Sequence, residues 1–331
     1  MAFDPFLEAF EDKIPILQVF AQRVRQGTLA KQGHPIRARS TEDYVRCVAQ
    51  TFLGLGAEDP RLNKANQIDF RLQRMIAYWK KQDPPPNRVK PVPIRVIRTL
   101  LFIAENSQDD HLKATADMIV IAFFFLLRPG EYTASPSDTQ PFDFKSVQLF
   151  LGDTRLDLAT STDAQLRCAT FASLTFDTQK NGVRGEVVGL GLSGDLTLCP
   201  VKAITRRIIH LRNARAPPNT PLSLCFNRNQ WRPVTPSQVS TMLKNTVTYL
   251  GPALGFMSTD VSARCLRAAG ANALLNARID PEVITLIGRW RSDEMLRYLH
   301  VQNRHLMKDY ASRMLRHGDY TLIPNQLVPM H

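Results

Sequence analysis

A run of prolines near residue 85 divides this 331-residue chain more firmly than any other feature. The segment Asp83-Pro84-Pro85-Pro86-Asn87-Arg88-Val89-Lys90-Pro91 cannot continue a helix, and successive prolines favour an extended, semi-rigid backbone. A chain of this length also exceeds one small core, so two domains are expected. We therefore predict a helical domain over 1–82, a linker over 83–92, a larger mixed domain over 93–317 and an irregular tail over 318–331.

The segment before the prolines carries three helical patterns. Apolar residues recur at helical spacing from Pro5 to about Arg25, and another such pattern runs from Gln67 to Lys80. Between them, Ser40-Thr41-Glu42-Asp43 places hydroxyls ahead of acidic residues, as a helix N-terminus prefers. The first domain is thus predicted to be a small helical bundle.

The segment after the prolines combines helices with short β-rich stretches. Helical patterns cover 93–106, 111–127, 200–212, 236–250, 262–276, 280–287, 292–300 and 304–316. Thr235-Pro236 and Asp280-Pro281 each join a capping residue to a proline at the first helical position. The runs 147–150, 171–176 and 187–188 predict an inserted sheet of three strands. The predicted fold class is mainly α with a small antiparallel sheet (α+β).

Composition limits the partners and the compartment. The formal net charge of +12 favours a polyanion such as nucleic acid, although charge alone fits a generically basic protein equally well. Five scattered cysteines without a C-x-x-C pair argue for a reducing compartment and against a disulfide framework. The N-terminus is acidic, unlike a secretory signal, and the ten-residue apolar run from Met118 to Leu127 is too short to span a bilayer. We expect an intracellular protein without membrane attachment.

An arginine stands at the end of that apolar run. Arg128 precedes Pro129, and proline moves the residue before it out of the α-region, so one helix should end there and another begin. We expect Arg128 to be half-buried, with Glu131 as the partner that orients its guanidinium. Taken alone, the fragment is better explained by a structural Arg–Glu pair without a ligand.

Two more short basic segments follow Arg128 along the chain, and these three segments are named islands. Lys180 lies in Gln179-Lys180-Asn181-Gly182, where Asn-Gly is a strong hairpin signal; such a lysine can act as general acid, although most turn lysines are only solvated. Arg264 and Arg267 share one face of a helix, and their guanidiniums match phosphate geometry, although many arginines simply line a solvated face. The small residues from Ala268 to Ala271 leave room for close approach by DNA or by a packing helix.

Neither a cofactor nor a metal is indicated by the remaining motifs. The run from Gly189 to Gly194 satisfies G-x-G-x-x-G, but no strand–turn–helix context surrounds it. His300, His305 and His317 do not form a ligand pattern. We predict no cofactor and no metal site.

In their fixed order, these islands and the later Gly288-Arg289-Trp290 with Tyr298 resemble the tyrosine recombinase (phage integrase) superfamily over roughly residues 90 to 316. The sequence of residues 288–298 is similar to that of the recombinases of eukaryotic mobile elements. The helical bundle ahead of the prolines also looks like that family's core-binding domain.

The resemblance implies a role for each island. Arg128, supported by Glu131, matches the first catalytic arginine of the family. Lys180 matches the hairpin lysine that protonates the leaving 5′-oxygen. Arg267 matches the second arginine, in the family's H-x-x-R.

The last island carries the implied nucleophile and one ambiguity. Tyr298 lies where the family has its nucleophilic tyrosine; Tyr310 is a second candidate, better explained by helix packing. The family's His/Trp position falls on Arg289 by strict count, or on Trp290 if one residue is inserted. Arg264 replaces the usual histidine of H-x-x-R, and arginine is a poor general base.

The implied reaction is metal-free breaking and rejoining of double-stranded DNA through a 3′-phosphotyrosyl intermediate. The function expected from the resemblance is a site-specific recombinase or integrase, acting as a homo-oligomer that is tetrameric on paired sites. A nuclear location follows if the likeness to eukaryotic elements is correct. The alternatives are a catalytically inactive DNA-binding protein that retains the recombinase fold, and a type IB-like topoisomerase.

Overall fold

The computed structural model describes residues 4, 6–29, 33–84, 90–134, 140–177, 184–227, 229–290 and 309–321. The chain forms two compact units, Met1–Asn87 and Arg88–His331. No helix in these described ranges is both long enough and apolar enough to cross a membrane.

The first unit contains three helices: α1 (Ile14–Arg25), α2 (Ala38–Gly54) and α3 (Phe70–Gln82). Its buried core is small and includes a packed cluster of Ala21, Ala38, Val45, Leu72, Ile76 and Trp79. The first helix begins at Ile14, well after the predicted start near Pro5. The carboxylate of Asp12 accepts the Ile14 N–H at 3.1 Å, and this side chain marks the true start.

One carboxylate joins the ends of all three helices. Asp83, directly after α3, accepts the Ala38 N–H at 2.7 Å and pairs with Arg25, the last residue of α1, at 2.9 Å. Because this distant side chain caps α2, the helix starts ahead of the Ser40 signal that the sequence suggested.

The second unit contains nine α-helices in its described residues: α4 (Ile94–Glu105), α5 (Asp110–Phe124), α6 (Pro129–Tyr132), α7 (Asp163–Arg167), α8 (Pro200–Asn213), α9 (Pro236–Leu250), α10 (Cys265–Asn276), α11 (Pro281–Gly288) and α12 (Tyr310–His317). The bounds of α9 match the prediction, because Thr235 accepts the Gln238 N–H in a capping box. The helix predicted over 292–300 lies outside the described residues.

Helix α5 is the central element of this unit. Every residue from Ala114 to Phe124 is buried, so the helix is apolar around its whole circumference rather than along one stripe. Its one buried carboxylate, Asp117, accepts two hydrogen bonds from Arg206 on α8, at 2.8 and 2.6 Å. The pairing satisfies a charge that would be costly to leave alone in this core.

The sheet is larger than the sequence suggested. Four antiparallel strands, β1 (Val147–Leu151), β2 (Thr154–Leu156), β3 (Phe171–Phe176) and β4 (Glu186–Gly191), lie in the order β2-β1-β3-β4. A separate hairpin pairs β5 (Leu224–Asn227) with β6 (Gln230–Pro233). The prediction of three strands is corrected, because the added strand β2 is only three residues long and two of them are polar. The predicted fold class, mainly α with a small antiparallel sheet, is confirmed.

Candidate active site

The site begins where α5 stops. The helix ends at Phe124 rather than at Leu127, because Leu126 adopts a left-handed backbone conformation with φ of 52°. The Leu127 N–H closes the turn on the Ala122 carbonyl at 3.0 Å. This ending frees the carbonyls of Phe125 and Leu126 for side-chain donors. A bulky residue in this region of backbone space is uncommon, so the surrounding packing must hold it.

Arg128 and Glu131 form the predicted pair just after this turn. Arg128 is extended (φ −78°, ψ 151°) ahead of the short helix α6, as expected for a residue before proline. The Glu131 carboxylate accepts the Arg128 backbone N–H at 2.7 Å and its Nη1 at 3.0 Å. Glu131 is buried, whereas the Arg128 side chain is 29% exposed. The Arg128 guanidinium is therefore held by the buried Glu131 carboxylate and is partly open to solvent.

Arg267 approaches the same turn from α10. Its Nη1 donates to the Leu126 carbonyl at 2.7 Å, and its Nη2 donates to the carbonyl of Gly288 at the end of α11. Its Cζ lies 4.3 Å from the centre of the Trp290 ring, in cation–π geometry. Trp290 itself is 38% exposed. Arg267 and Trp290 thus form one stacked unit that reaches the surface.

Arg289 lies beneath this surface rather than on it. The residue is only 3% exposed, and its Nη2 donates to Glu131 at 2.9 Å. Its Cζ stands 3.7 Å from the centre of the Phe176 ring on β3. The Arg289 guanidinium is therefore enclosed by protein, and which of Arg289 and Trp290 fills the family's His/Trp position stays a prediction. Trp290 is the member of the pair that reaches the surface.

The end of α11 explains how neighbouring residues point in such different directions. Arg289 takes the left-handed position (φ 56°), and the Trp290 N–H donates back to the Thr285 carbonyl at 3.0 Å. This is the hydrogen bonding of a Schellman ending, in which glycine usually occupies the left-handed position. Gly288 serves another purpose: a Cβ there would overlap the Trp290 ring.

The short stretch of small residues in α10 packs against protein. A Cβ at Gly270 would overlap the Phe123 carbonyl oxygen and the Leu126 side chain. Of the two explanations that the sequence left open, the packing helix is the one found, and that helix is α5. The contact also fixes the distance between Arg267, one turn earlier, and the end of α5.

Three guanidiniums from separate parts of the chain converge here. Burial lowers the pKa of Arg267 to about 9, and the positive charges of Arg128 and Arg289 add to this effect. Burial also lowers the pKa of Arg289 to about 10, while the carboxylate of Glu131 opposes the shift. Both side chains remain protonated at neutral pH. The result is a positively charged surface around Arg128 and Arg267.

The other predicted residues are placed as follows. Arg264 is exposed and occupies the N-cap position of α10, one turn before Arg267. Lys180 and Tyr298 lie outside the described residues, so their roles stay predictions. Tyr310 is only 5% exposed within the core of the unit, in keeping with its packing role. Within the described ranges, no group of three His, Cys, Asp or Glu side chains could hold a metal ion.

Two contributors to the site had no signal in the sequence. Leu126 supplies a carbonyl to Arg267 because of a left-handed backbone that leucine seldom adopts, and Phe176 covers Arg289 from the distant strand β3. Only the assembled fold brings either of them to the arginines.

Comparison with known proteins places the fold. No family model matches the chain, and no curated protein matches it. Two structures of a variant integrase from the Tn1549 transposon, each in complex with a circular intermediate DNA, align with a TM-score of 0.50 at 16% and 15% identity. Each alignment covers 88% of this chain and 82% of the integrase chain. An integrase from mycobacterium phage Brujita aligns over 96% of this chain and 97% of its own at 16% identity, but its TM-score of 0.35 is too low to support an argument.

At such identities the likeness concerns the fold alone, and the similarity to eukaryotic elements stays a prediction. The largely helical fold with a small antiparallel sheet is consistent with that likeness. The chain has the fold of the tyrosine recombinase integrases.

Proposed function

We propose that this protein breaks and rejoins double-stranded DNA as a site-specific recombinase or integrase, through a covalent tyrosine–DNA intermediate. The observation that carries the proposal is the convergence of Arg128 and the half-buried Arg267 at the turn after α5, each with its orientation fixed by hydrogen bonds. Fixed guanidiniums with free donors suit the non-bridging oxygens of a phosphodiester. The fold supports the same function, since the Tn1549 transposon integrase was solved with DNA.

In the proposed reaction, Tyr298 loses its phenolic proton to solvent, and the resulting phenolate oxygen attacks a backbone phosphorus and forms a 3′-phosphotyrosyl bond. The bond from phosphorus to the 5′-oxygen breaks, and Lys180 gives that oxygen its proton. Attack by a 5′-hydroxyl then reverses these steps and restores the strand, so the phosphotyrosyl bond conserves the energy needed for rejoining. Arg128, Arg267 and the indole of Trp290 would stabilise the charge on the phosphate.

Covalent trapping tests the proposal even while the target sequence is unknown. The full chain is incubated with a randomised pool of nicked suicide duplexes, and protein-linked DNA is isolated under denaturing conditions and sequenced. We expect an adduct for the natural chain, none for Tyr298→Phe, and a strong loss for Arg128→Ala. Tyr310→Phe is the matched control: because Tyr310 is buried packing, the adduct should persist. An adduct that survives Tyr298→Phe would contradict the assignment.

Lys180→Ala separates general-acid catalysis from DNA binding. Because protonation of the 5′-oxygen matters only as the bond breaks, cleavage should slow by roughly 10²–10⁴-fold while duplex affinity changes little. Equal losses in cleavage and in affinity would remove the proposed role.

Arg264 favours one second candidate, a DNA-binding protein that keeps the fold without turnover. An exposed arginine at this position can contact a phosphate, but it is a poor acceptor for the proton of a tyrosine. Duplex binding by the natural chain without any adduct across the randomised pool would support this candidate over the enzyme.

The remaining parts of the proposal concern assembly. We assign DNA contact to the helical domain over 1–82 as well as to the larger domain. Recombination requires two DNA sites and several protomers. Light scattering of the chain on trapped target DNA would therefore show a tetramer if the enzyme recombines, and a single protomer if it does not.

A further inference from the structure

The buried Arg289 side chain carries two costs that a purely structural residue would avoid. Its backbone is left-handed, where glycine is the ordinary choice. Its Nε is buried without a hydrogen-bond partner among the described residues. Strained or unsatisfied positions persist where the rest of the site depends on them.

The contacts of Arg289 connect three elements. Nη2 donates to Glu131 at 2.9 Å, Nη1 donates to the Ile287 carbonyl at 2.9 Å, and longer bonds of 3.3 and 3.4 Å reach the carbonyls of Phe125 and Leu126. The side chain therefore ties the end of α11 to the end of α5 and to the carboxylate that follows it.

Glu131 transmits this restraint to Arg128. The oxygen that accepts Arg289, Oε2, also accepts the Arg128 backbone N–H, and Oε1 accepts the Arg128 guanidinium. A carboxylate held on both sides has a single orientation, so Arg289 fixes the direction in which Arg128 points. The exposed part of the Arg128 guanidinium can then meet a ligand at the surface.

Charge gives the same chain of contacts a second effect. Without Arg289, the Glu131 carboxylate would offset most of the positive charge of Arg128. With Arg289 beneath it, flanked also by Glu186 on β4, the carboxylate is already paired, and Arg128 and Arg267 leave the surface positive. A phosphate-type anion would meet the Arg128 guanidinium in a fixed orientation, together with the uncompensated positive charge of Arg128 and Arg267.

From this geometry we infer that Arg289 is a positioning residue, which orients Arg128 through Glu131 for a phosphate-type anion. The inference deepens the proposed function and rests on it in one respect: that the anion is a DNA phosphate.

The test is a double-mutant cycle on the full chain with inorganic phosphate as the probe, titrated by calorimetry. Arg289→Lys keeps the buried charge but cannot span the same acceptors, and it should weaken phosphate binding roughly tenfold when Arg128 is present. In an Arg128→Lys background the loss should shrink below about threefold, because an ammonium needs little orientation. Equal losses in both backgrounds, or no phosphate binding by the natural chain, would overturn the inference.

Two further variants separate positioning from folding. Ile208→Val removes one methyl group from the buried side of α8 without altering a contact of the candidate site, so it should lower stability and leave phosphate affinity within about twofold. If Arg289→Lys does not fold, the double variant Arg289→Gln with Glu131→Gln removes both buried charges and keeps the net charge of the pair at zero. Simple electrostatics predicts unchanged phosphate affinity for this variant, whereas positioning predicts a loss; unchanged affinity would sink the inference.

Covalent trapping on the same proteins distinguishes this inference from the proposed function. A natural chain that forms no adduct but passes the phosphate cycle would reject the enzyme and keep the positioning role. A natural chain that forms the adduct, with Arg289→Lys cleaving at the same rate per bound DNA, would reject the positioning role alone.

Discussion

Gly288 and Arg289 exchange the roles that their identities suggest. Glycine normally supplies the left-handed residue that ends a helix, yet here Gly288 makes room for the Trp290 ring, and Arg289 takes the left-handed conformation. Arginine is normally a surface residue, yet Arg289 is enclosed because the Glu131 carboxylate and three backbone carbonyls accept its donors. For these two residues, the amino-acid type alone did not determine which residue is left-handed or whether the arginine is buried.

The room at Gly288 gives the first prediction. Gly288→Ala should push Trp290 off Arg267 and remove a stacking contact that is worth about 1 kcal/mol. The free energy of unfolding should fall by about that amount, and cleavage should slow by up to roughly tenfold. In a Trp290→Ala background the same substitution should cost little, since no ring remains to be displaced. Equal losses in both backgrounds would show that the added methyl group acts elsewhere.

His210 on α8 gives a pH-dependent prediction. Its Nε2 accepts the Phe226 N–H at 2.9 Å, and burial, helped by the charge of Arg207, lowers its pKa to about 4. In the unfolded state His210 therefore binds a proton near pH 6.5, whereas in the folded state it binds one only near pH 4. The contribution of neutral His210 to the free energy of unfolding is present at neutral pH and is lost as the pH falls from 6.5 to about 4. His210→Gln, which keeps an acceptor, should reduce the pH 7-to-5 loss of unfolding free energy by about 1 kcal/mol in urea titrations; an unchanged loss would exclude His210 as the cause.

At the scale of elements, the candidate site is the meeting point of two helix ends and one helix crossing. Helices α5 and α11 both stop at a left-handed residue, and both ends turn carbonyls toward Arg267. Helix α10 reaches them because Gly270 lets it lie directly on α5. Helix C-termini carry partial negative charge, so two of them stabilise guanidiniums that would otherwise be costly to bury.

The crossing at Gly270 can be tested by adding one methyl group. Gly270→Ala should lower the free energy of unfolding of the second unit by about 1–3 kcal/mol, because the methyl meets backbone that cannot move aside. It should also slow DNA cleavage, since α10 carries Arg267. Gly54→Ala, at the end of α2, is the matched control: nothing lies near its added Cβ, so stability there should stay the same or rise by up to about 0.5–1 kcal/mol. A Gly270→Ala variant as stable as the natural chain would contradict the close crossing of α10 and α5.

For the whole molecule, two compact units and a net charge of +12 set the expected mode of DNA binding. Basic side chains that neutralise phosphates release counterions, so affinity depends on salt in proportion to the number of contacts. With roughly six or more contacts, duplex affinity should fall roughly a thousandfold or more between about 50 and 200 mM salt. Fluorescence anisotropy on a labelled duplex measures this, and a salt-insensitive affinity would contradict a DNA partner.

Arg264 should contribute one unit to that salt slope. It is exposed beside Arg267, and its position suits phosphate contact better than proton transfer. Arg264→Gln should therefore reduce the slope of log affinity against log salt by about one, with little change in stability. The same slope in the variant would place Arg264 away from the DNA.

Local chemistry let the sequence determine much of the backbone. The proline run was predicted to divide the helical and mixed domains, Thr235-Pro236 starts α9, and Pro129 is the first residue of α6. The Arg128–Glu131 pair also followed from sequence, because its partners are three residues apart. Such features depend on contacts within a turn or two, and a single chain segment contains the whole cause.

Tertiary structure alone decided which arginine is buried and which faces solvent. Arg289 pairs with a carboxylate 158 residues away and packs on a ring from β3, so its burial depends on how α5, α11 and the sheet assemble. The start of α2 was missed for the same reason, since its cap comes from Asp83. Whether a charge is exposed or enclosed is a property of surfaces brought together from distant segments, and no local pattern contains it.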